Sequence, residues 1–277
     1  MNLARRDDLD LLAAWMRRPW DGPVWDAVAD ALRDQPAEAA VERAQLLGIP
    51  AAIAVSPPAP RRVATRLAGP ARRTPTLVLD LSNLWAGPLC ARLVGDATEL
   101  RVVKVEDPQR PDGARGGPPP FWHRLNGAKE HTAVEFATDA GRRDLAALLD
   151  DADVVVTSAR PRALDALGLN PAEHAARGGV WVTITGYGLT GPWRNRVAFG
   201  DDAAVAGGAA VVAGAADHPA FVLDAVADPL SGLCGAAAAL DALDARRGAI
   251  IDVSLRDVVA DALTAGQYAA QTDQEVT

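Results

Sequence analysis

Between Thr76 and Thr185 four short apolar runs rich in β-branched residues recur at helix-length intervals, and each is followed at once by polar residues or glycine. They lie in TLVLDLSNLWAGP, RVVKVEDP, ADVVVTSARPRALDALG and VWVTITGYGLTGPWRNRVAFGDD, with a lysine-bearing loop, FWHRLNGAKEHTAVEF, between the second and third. The pattern predicts strands at Thr76–Leu81, Arg101–Glu106, Val154–Ser158 and Val180–Thr185, and helices near Pro88–Leu93, Gly141–Asp150 and Pro171–Ala176. Alternating strand and helix make a parallel, doubly wound α/β sheet the economical topology. Polar residues then gather at the carboxyl ends of the strands, where open sheets of this kind bind ligands.

The flanks are simpler. Leu9, Leu12, Ala13 and Met16 recur at helical spacing and the pattern stops before Pro19; further helices are expected at Val24–Leu32 and Ala39–Leu47, the latter ending at Gly48. Ile49–Val55 reads as a short apolar strand, so residues 1–55 form a small α/β appendage. Residues 56–75 carry five prolines and five arginines without periodicity, the mark of a linker or surface strap. The core then occupies 76–277, closing with a buried alanine-rich helix over Pro229–Arg247, a strand at Ala249–Leu255 and a terminal helix from Asp257 to about Ala270.

Composition narrows the function. A net charge of −8 argues against general nucleic-acid binding, which needs broad phosphate neutralisation. An anionic ligand would need a local basic pocket, and among 28 basic residues only Lys104 and Lys129 are lysines, both within the strand-rich segment. Cys90 and Cys234 stand far apart without metal-ligand spacing and read as buried small hydrophobes; no metal is expected. No apolar stretch reaches the ~20 residues of a membrane span, and MNLARRDDLDLL lacks the run of a signal peptide, so a cytoplasmic setting and no membrane partner are expected. Gly186-Tyr187-Gly188-Leu189-Thr190-Gly191 matches the dinucleotide fingerprint in form only, because Pro192, Trp193, Arg194 and Asn195 follow where a helix should open.

The order of the segments resembles the class III CoA-transferases, the carnitine and bile-acid CoA-transferase group. The matching residues are Leu77–Ser82 with Ala86-Gly87-Pro88, Val103–Glu106 with Pro108, Phe121-Trp122 with Asn126 and Lys129, Arg160-Pro161 with Leu167-Gly168-Leu169, Thr185–Pro192, and later Ile251–Leu255. The resemblance implies a Rossmann-like core that binds coenzyme A and moves it between an acyl-CoA and a carboxylic acid. It implies, too, that Lys129, Arg160 and Lys104 supply charge to the phosphates, that Asn126 belongs to the cofactor-binding set, that backbone amides of Trp85, Ala86 and Gly87 hold the phosphates or pantetheine arm, and that Tyr187 and Gly188 shape the site. A homo-oligomer, typically a dimer, or a heteromer with a related subunit follows from the same likeness.

In that family an aspartate after the Gly-Pro turn attacks the thioester and carries the acyl group as an anhydride, dividing one hard transfer into easier steps. Here Gly200 takes the aligned position and Asp201 comes one residue late, a shift of about 100° on a helix. Asp201 is the candidate nucleophile, while Asp201 and Asp202 also suit the first turn of a helix as caps. The rival reading is a catalytically reduced CoA-binding or partner subunit. A racemase is a lesser alternative, because none of His123, His131, His174 and His218 immediately precedes the candidate aspartate. Residues 1–55, with LLGIPAAIAV, resemble the segment with which family members end, as in a shortened and permuted chain.

Overall fold

The computed structural model describes residues 1–33, 35–59, 61, 63–71 and 73–275, with side chains as far as 265. Helices α1 (Arg6–Asp10), α2 (Leu12–Met16), α3 (Val24–Arg33) and α4 (Ala37–Leu47) precede strand β1 (Ala64–Pro70). Next come β2 (Leu77–Asp80), α5 (Ala86–Thr98), β3 (Arg101–Glu106), α6 (Pro119–Asn126), β4 (Glu130–Ala133) and α7 (Asp139–Asp151). The other half of the sheet is built from β5 (Val154–Thr157), α8 (Pro161–Ala166), α9 (Pro171–Ala176) and β6 (Val180–Thr185). Helices α10 (Gly200–Ala206), α11 (Ala209–Ala213) and α12 (Ala227–Asp244), strand β7 (Arg247–Ser254) and α13 (Leu255–Glu275) complete the chain.

The seven strands lie in the order β1-β7-β6-β5-β2-β3-β4, all parallel except the β1–β7 pair. From β2 the chain moves outward through β3 and β4, then returns to place β5 on the other side of β2. That reversal between β2 and β5 is a topological switch point, and leaving β1 aside the order is the doubly wound one. Both faces are covered, as a parallel sheet requires. Leu77, Leu79, Val103, Val105, Val155 and Trp181 enter one core. Val78, Val154, Val156, Val182 and Ile184 enter the other, against the small side chains of α5 and α12.

Two edge elements differ from expectation for one reason. The stretch expected as a lysine-bearing loop contains α6 and β4, and β4 is an exposed edge strand of sequence EHTA with no apolar alternation to betray it. The expected linker contains β1, exposed or half-exposed throughout and held by backbone pairing to β7; its Pro60, Arg62 and Arg72 lie outside the described residues. Edge strands need backbone partners more than buried side chains.

The first segment also differs in detail. Its helix is broken at Leu11 into α1 and α2, which leaves Leu9 exposed and buries Leu12, Trp15 and Met16. Ile49–Val55 forms no strand; Ile49 and Ala51 instead close an apolar cluster with Leu12, Trp15, Val28 and Ala44. Trp15 Nε1 donates to the Ala40 carbonyl at 2.9 Å, satisfying the buried indole. Helix α4 meets the core at the loop before α10: Gln45 donates to Val197 O at 3.0 Å and accepts from Val197 N at 2.9 Å. Among the described residues no helix is long and apolar enough to cross a membrane.

Candidate functional site

Because the polypeptide leaves β2 and β5 in opposite directions, a crevice opens outside their carboxyl ends. Its walls are Asn83, Leu84 and Ala86 after β2, Ser158, Ala159 and Arg160 after β5, Thr185 and Gly186 after β6, and the strip Arg196–Phe199. The space measures about 350 Å³. The two banks are tied together where Asn83 N–H donates to Ser158 Oγ at 3.1 Å. Of the sequence-predicted residues, Ala86 and Arg160 line this crevice directly.

Arg160 is its strongest cation. It is half-buried, Nη1 donates to Asn195 O at 3.3 Å, and among the described residues no carboxylate pairs with it. Burial, then the nearby Arg162 and Arg5, push its pKa below the usual guanidinium range without threatening its charge. Arg5 and Arg196 also reach the crevice, but they are engaged by Asp8 and Glu42.

The two lysines occupy the predicted region and face the other way. Lys104 is fully buried in β3, where Nζ donates to Ser82 O at 2.7 Å and lies 3.0 Å from Asp112 Oδ2 and 3.9 Å from Asp80 Oδ2. Lys129 Nζ donates to Asp80 Oδ2 at 2.8 Å, Pro88 O at 2.8 Å and Asn126 Oδ1 at 2.9 Å. Burial lowers the Lys129 pKa against the pull of Asp80; for Asp80 the opposing charges of Lys104 and Lys129 outweigh burial and hold it below the usual carboxylate range. Thus the charge expected to meet a phosphate is already neutralised inside the protein. Asn126 is equally buried, its amide oxygen taken by Lys129. These groups grip the carbonyls of Ser82 and Pro88 and so fix the turn between them from beneath.

That turn is tight for a local reason. A Cβ on Gly87 would stand 2.2 Å from Ser82 Cβ and 2.3 Å from its Oγ, so only glycine lets α5 start this close to the end of β2. Trp85 precedes the helix without a side-chain cap and packs edge-on against Phe121. Tyr187 is buried against Trp193, and burial raises its phenol pKa. Gly188 has φ +82° and donates its N–H to Thr185 Oγ1 at 3.0 Å. Both lie in the turn that follows β6, outside the lining of the crevice.

Asp201 does not face the crevice. It accepts from Ala225 N–H at 2.9 Å and borders a separate cavity with Asn2, Leu3, Trp25, Asp202 and Phe221. The helix α10 begins at Gly200, and Asp201 is its second residue. Asp202 caps that helix by accepting from Phe199 N–H at 2.8 Å, and burial pushes its pKa up to about 7. The acidic side chain that does line the crevice is Asp228, from the first turn of α12. Sequence reasoning missed it because an aspartate directly before Pro229 looks like an ordinary helix start. None of the four histidines is among the crevice walls.

The model of CoA-transferase family III matches residues 76–276. The chain is 30% identical over 196 residues to the succinyl-CoA–D-citramalate CoA-transferase of Chloroflexus aurantiacus, covering 66% of this chain and 48% of that protein. It is likewise 30% identical over 197 residues to the (R)-2-hydroxy-4-methylpentanoate CoA-transferase of Clostridioides difficile, covering 64% and 49%. A solved CAIB/BAIF family protein from Brucella suis superposes with a TM-score of 0.61 at 27% identity, over 73% of this chain and 58% of that one. The chain spans about half the length of the curated relatives it matches. With its sheet, its switch-point crevice and a family match over most of its length, this chain belongs to CoA-transferase family III.

Proposed function

We propose that this chain binds the CoA moiety of an acyl-CoA in the β2–β5 crevice and transfers CoA between that thioester and a free carboxylic acid. The observation that carries the reading is the switch-point crevice itself, with an uncompensated Arg160 on one bank and the amino end of α5 on the other. Arginine holds phosphates, and helix-start amides favour anionic groups at the other bank. Residues 76–277 form the CoA-binding core in this reading, 56–75 the strap and 1–55 the appendage, supported by the appendage's separate apolar cluster. We assign a cytoplasmic setting, and an assembly with a second copy or a related subunit, the latter supported by the well-exposed Phe221 and Leu223.

One observation favours the partner-subunit reading: position 200 carries no side chain. A relative covering 66% of this chain is named as the beta subunit of a succinyl-CoA–L-malate CoA-transferase, which shows that subunit-based members exist. A single experiment separates the readings. The purified chain is titrated with CoA by calorimetry, then incubated with succinyl-CoA and a panel of free carboxylates while new CoA thioesters are followed by mass spectrometry. Binding together with a new thioester is the expected result. Binding without exchange selects the subunit reading, and no binding contradicts both.

A further inference from the structure

Position 200 is not merely empty. A Cβ built on Gly200 would lie 2.3 Å from Asp228 Oδ2, 2.5 Å from Ala225 O and 2.7 Å from Ala225 Cβ. The Asp228 carboxylate therefore occupies the space where a side chain at 200 would begin, and Ala225 closes that space from its other side. Asp228 enters from α12, across from α5, and the amide N–H groups of Gly200 and Ala86 favour its charged form. It is the one acidic group among the described walls of the crevice.

The other wall residues are poorly equipped to take an acyl group. Ser158 Oγ already accepts from Asn83 N–H, and Thr185 Oγ1 from Gly188 N–H. No histidine, lysine or cysteine among the described wall residues stands by to deprotonate a hydroxyl or to attack directly. A carboxylate needs no such base once ionised. We propose that Asp228 is the nucleophile of this site, supplied from α12 in the place that a side chain at position 200 would otherwise use. The inference rests on the CoA-transferase reading above and adds the residue that performs the transfer.

The step balances without any further reactant. An Asp228 Oδ bonds to the thioester carbonyl carbon, the C–S bond breaks, and its electron pair leaves on the CoA sulfur as thiolate. The thiolate then attacks the Asp228 carboxyl carbon and expels the first acyl group as a free carboxylate. An incoming carboxylate reverses these steps, carries CoA away and restores Asp228. Burial pushes the Asp228 pKa up to about 7 against the two amides, with Asp201 and Asp224 adding to the rise. The group is consequently more basic than an ordinary aspartate when it attacks.

The test is a map of the covalent intermediate. Wild-type protein is mixed with succinyl-CoA, trapped with hydroxylamine, digested and sequenced by mass spectrometry, while CoA affinity is measured separately by calorimetry. The hydroxamate is expected on Asp228 and not on Asp201. Asp228→Asn is expected to lose the label by ~100-fold or more while its CoA affinity stays within about threefold, the pattern of a group used only in the chemical step. Should Asp228→Asn not fold, the wild-type map decides the site alone. A label on Asp201, an Asp228→Asn protein that labels like wild type, or CoA binding without any label overturns the inference and leaves the binding site standing. Failure to bind CoA at all overturns this inference and the proposed function together.

Discussion

Asp80→Ala is expected to destabilise the fold by about 3–5 kcal/mol in urea unfolding, the cost of breaking a buried ion cluster from one side. The carboxylate is fully buried at the end of β2, where it accepts from Lys129 Nζ at 2.8 Å and from Ser82 N–H at 3.0 Å and faces Lys104 at 3.9 Å. Without it Lys104 keeps Asp112 as its carboxylate, while the buried Lys129 ammonium keeps only the neutral oxygens of Pro88 and Asn126. Removing the charges together is the control: Asp80→Leu combined with Lys129→Met should recover a large part of the loss, because well-packed apolar replacements of a buried pair are often nearly neutral. A single Asp80→Ala cost under about 1 kcal/mol would contradict this account, since that is the scale of an exposed pair. The sign of the pH dependence follows from the same contacts. With its folded pKa held below the unfolded value, Asp80 contributes stability above the ordinary carboxylate range, and that contribution is lost as the pH falls through the folded pKa.

The second large effect concerns the ligand. Arg160→Ala should weaken CoA binding by roughly 10- to 100-fold, because charge-assisted hydrogen bonds are worth about 1.5–3 kcal/mol each. No carboxylate among the described residues competes for this guanidinium, so its charge is available to a phosphate. Arg160→Lys should restore only part of the affinity, since an ammonium lacks the planar fork. Calorimetry on the three proteins reads the effect. Equal affinities within about twofold would place the phosphates elsewhere, because that is less than 0.5 kcal/mol.

The fold was legible where strands are buried on both sides. Arg101–Glu106 and Val180–Thr185 stand as the apolar runs indicate, because a central parallel strand must carry branched side chains to both cores. Strands β1 and β4 were not legible. Their side chains face solvent, and their stability comes from backbone pairing that leaves no mark in the sequence. The site shows the same division. Lys104 and Lys129 were placed in the right region, but a long side chain can run up into a cleft or down to a carboxylate. Asp80, 49 residues before Lys129, decides for the second.

Asp228 was hidden for a different reason. It reaches the crevice only because α12 packs on α5, a contact between segments more than a hundred residues apart. Local pattern drew attention to Asp201 instead, and a turn of one residue sent that side chain to another cavity. The lysines then gain a role that the motifs alone did not express. By holding Ser82 O and Pro88 O they set the turn that delivers Ala86 N–H to the crevice.

If the carboxyl ends of β2 and β5 form a CoA site, a crystal of this chain soaked with CoA holds the ligand there. Phosphate density is expected within hydrogen-bond distance of Arg160, with the thiol end beside Asp228. Density for CoA in the cavity beside Asp201 and Trp25, with the β2–β5 crevice holding only water, would contradict it.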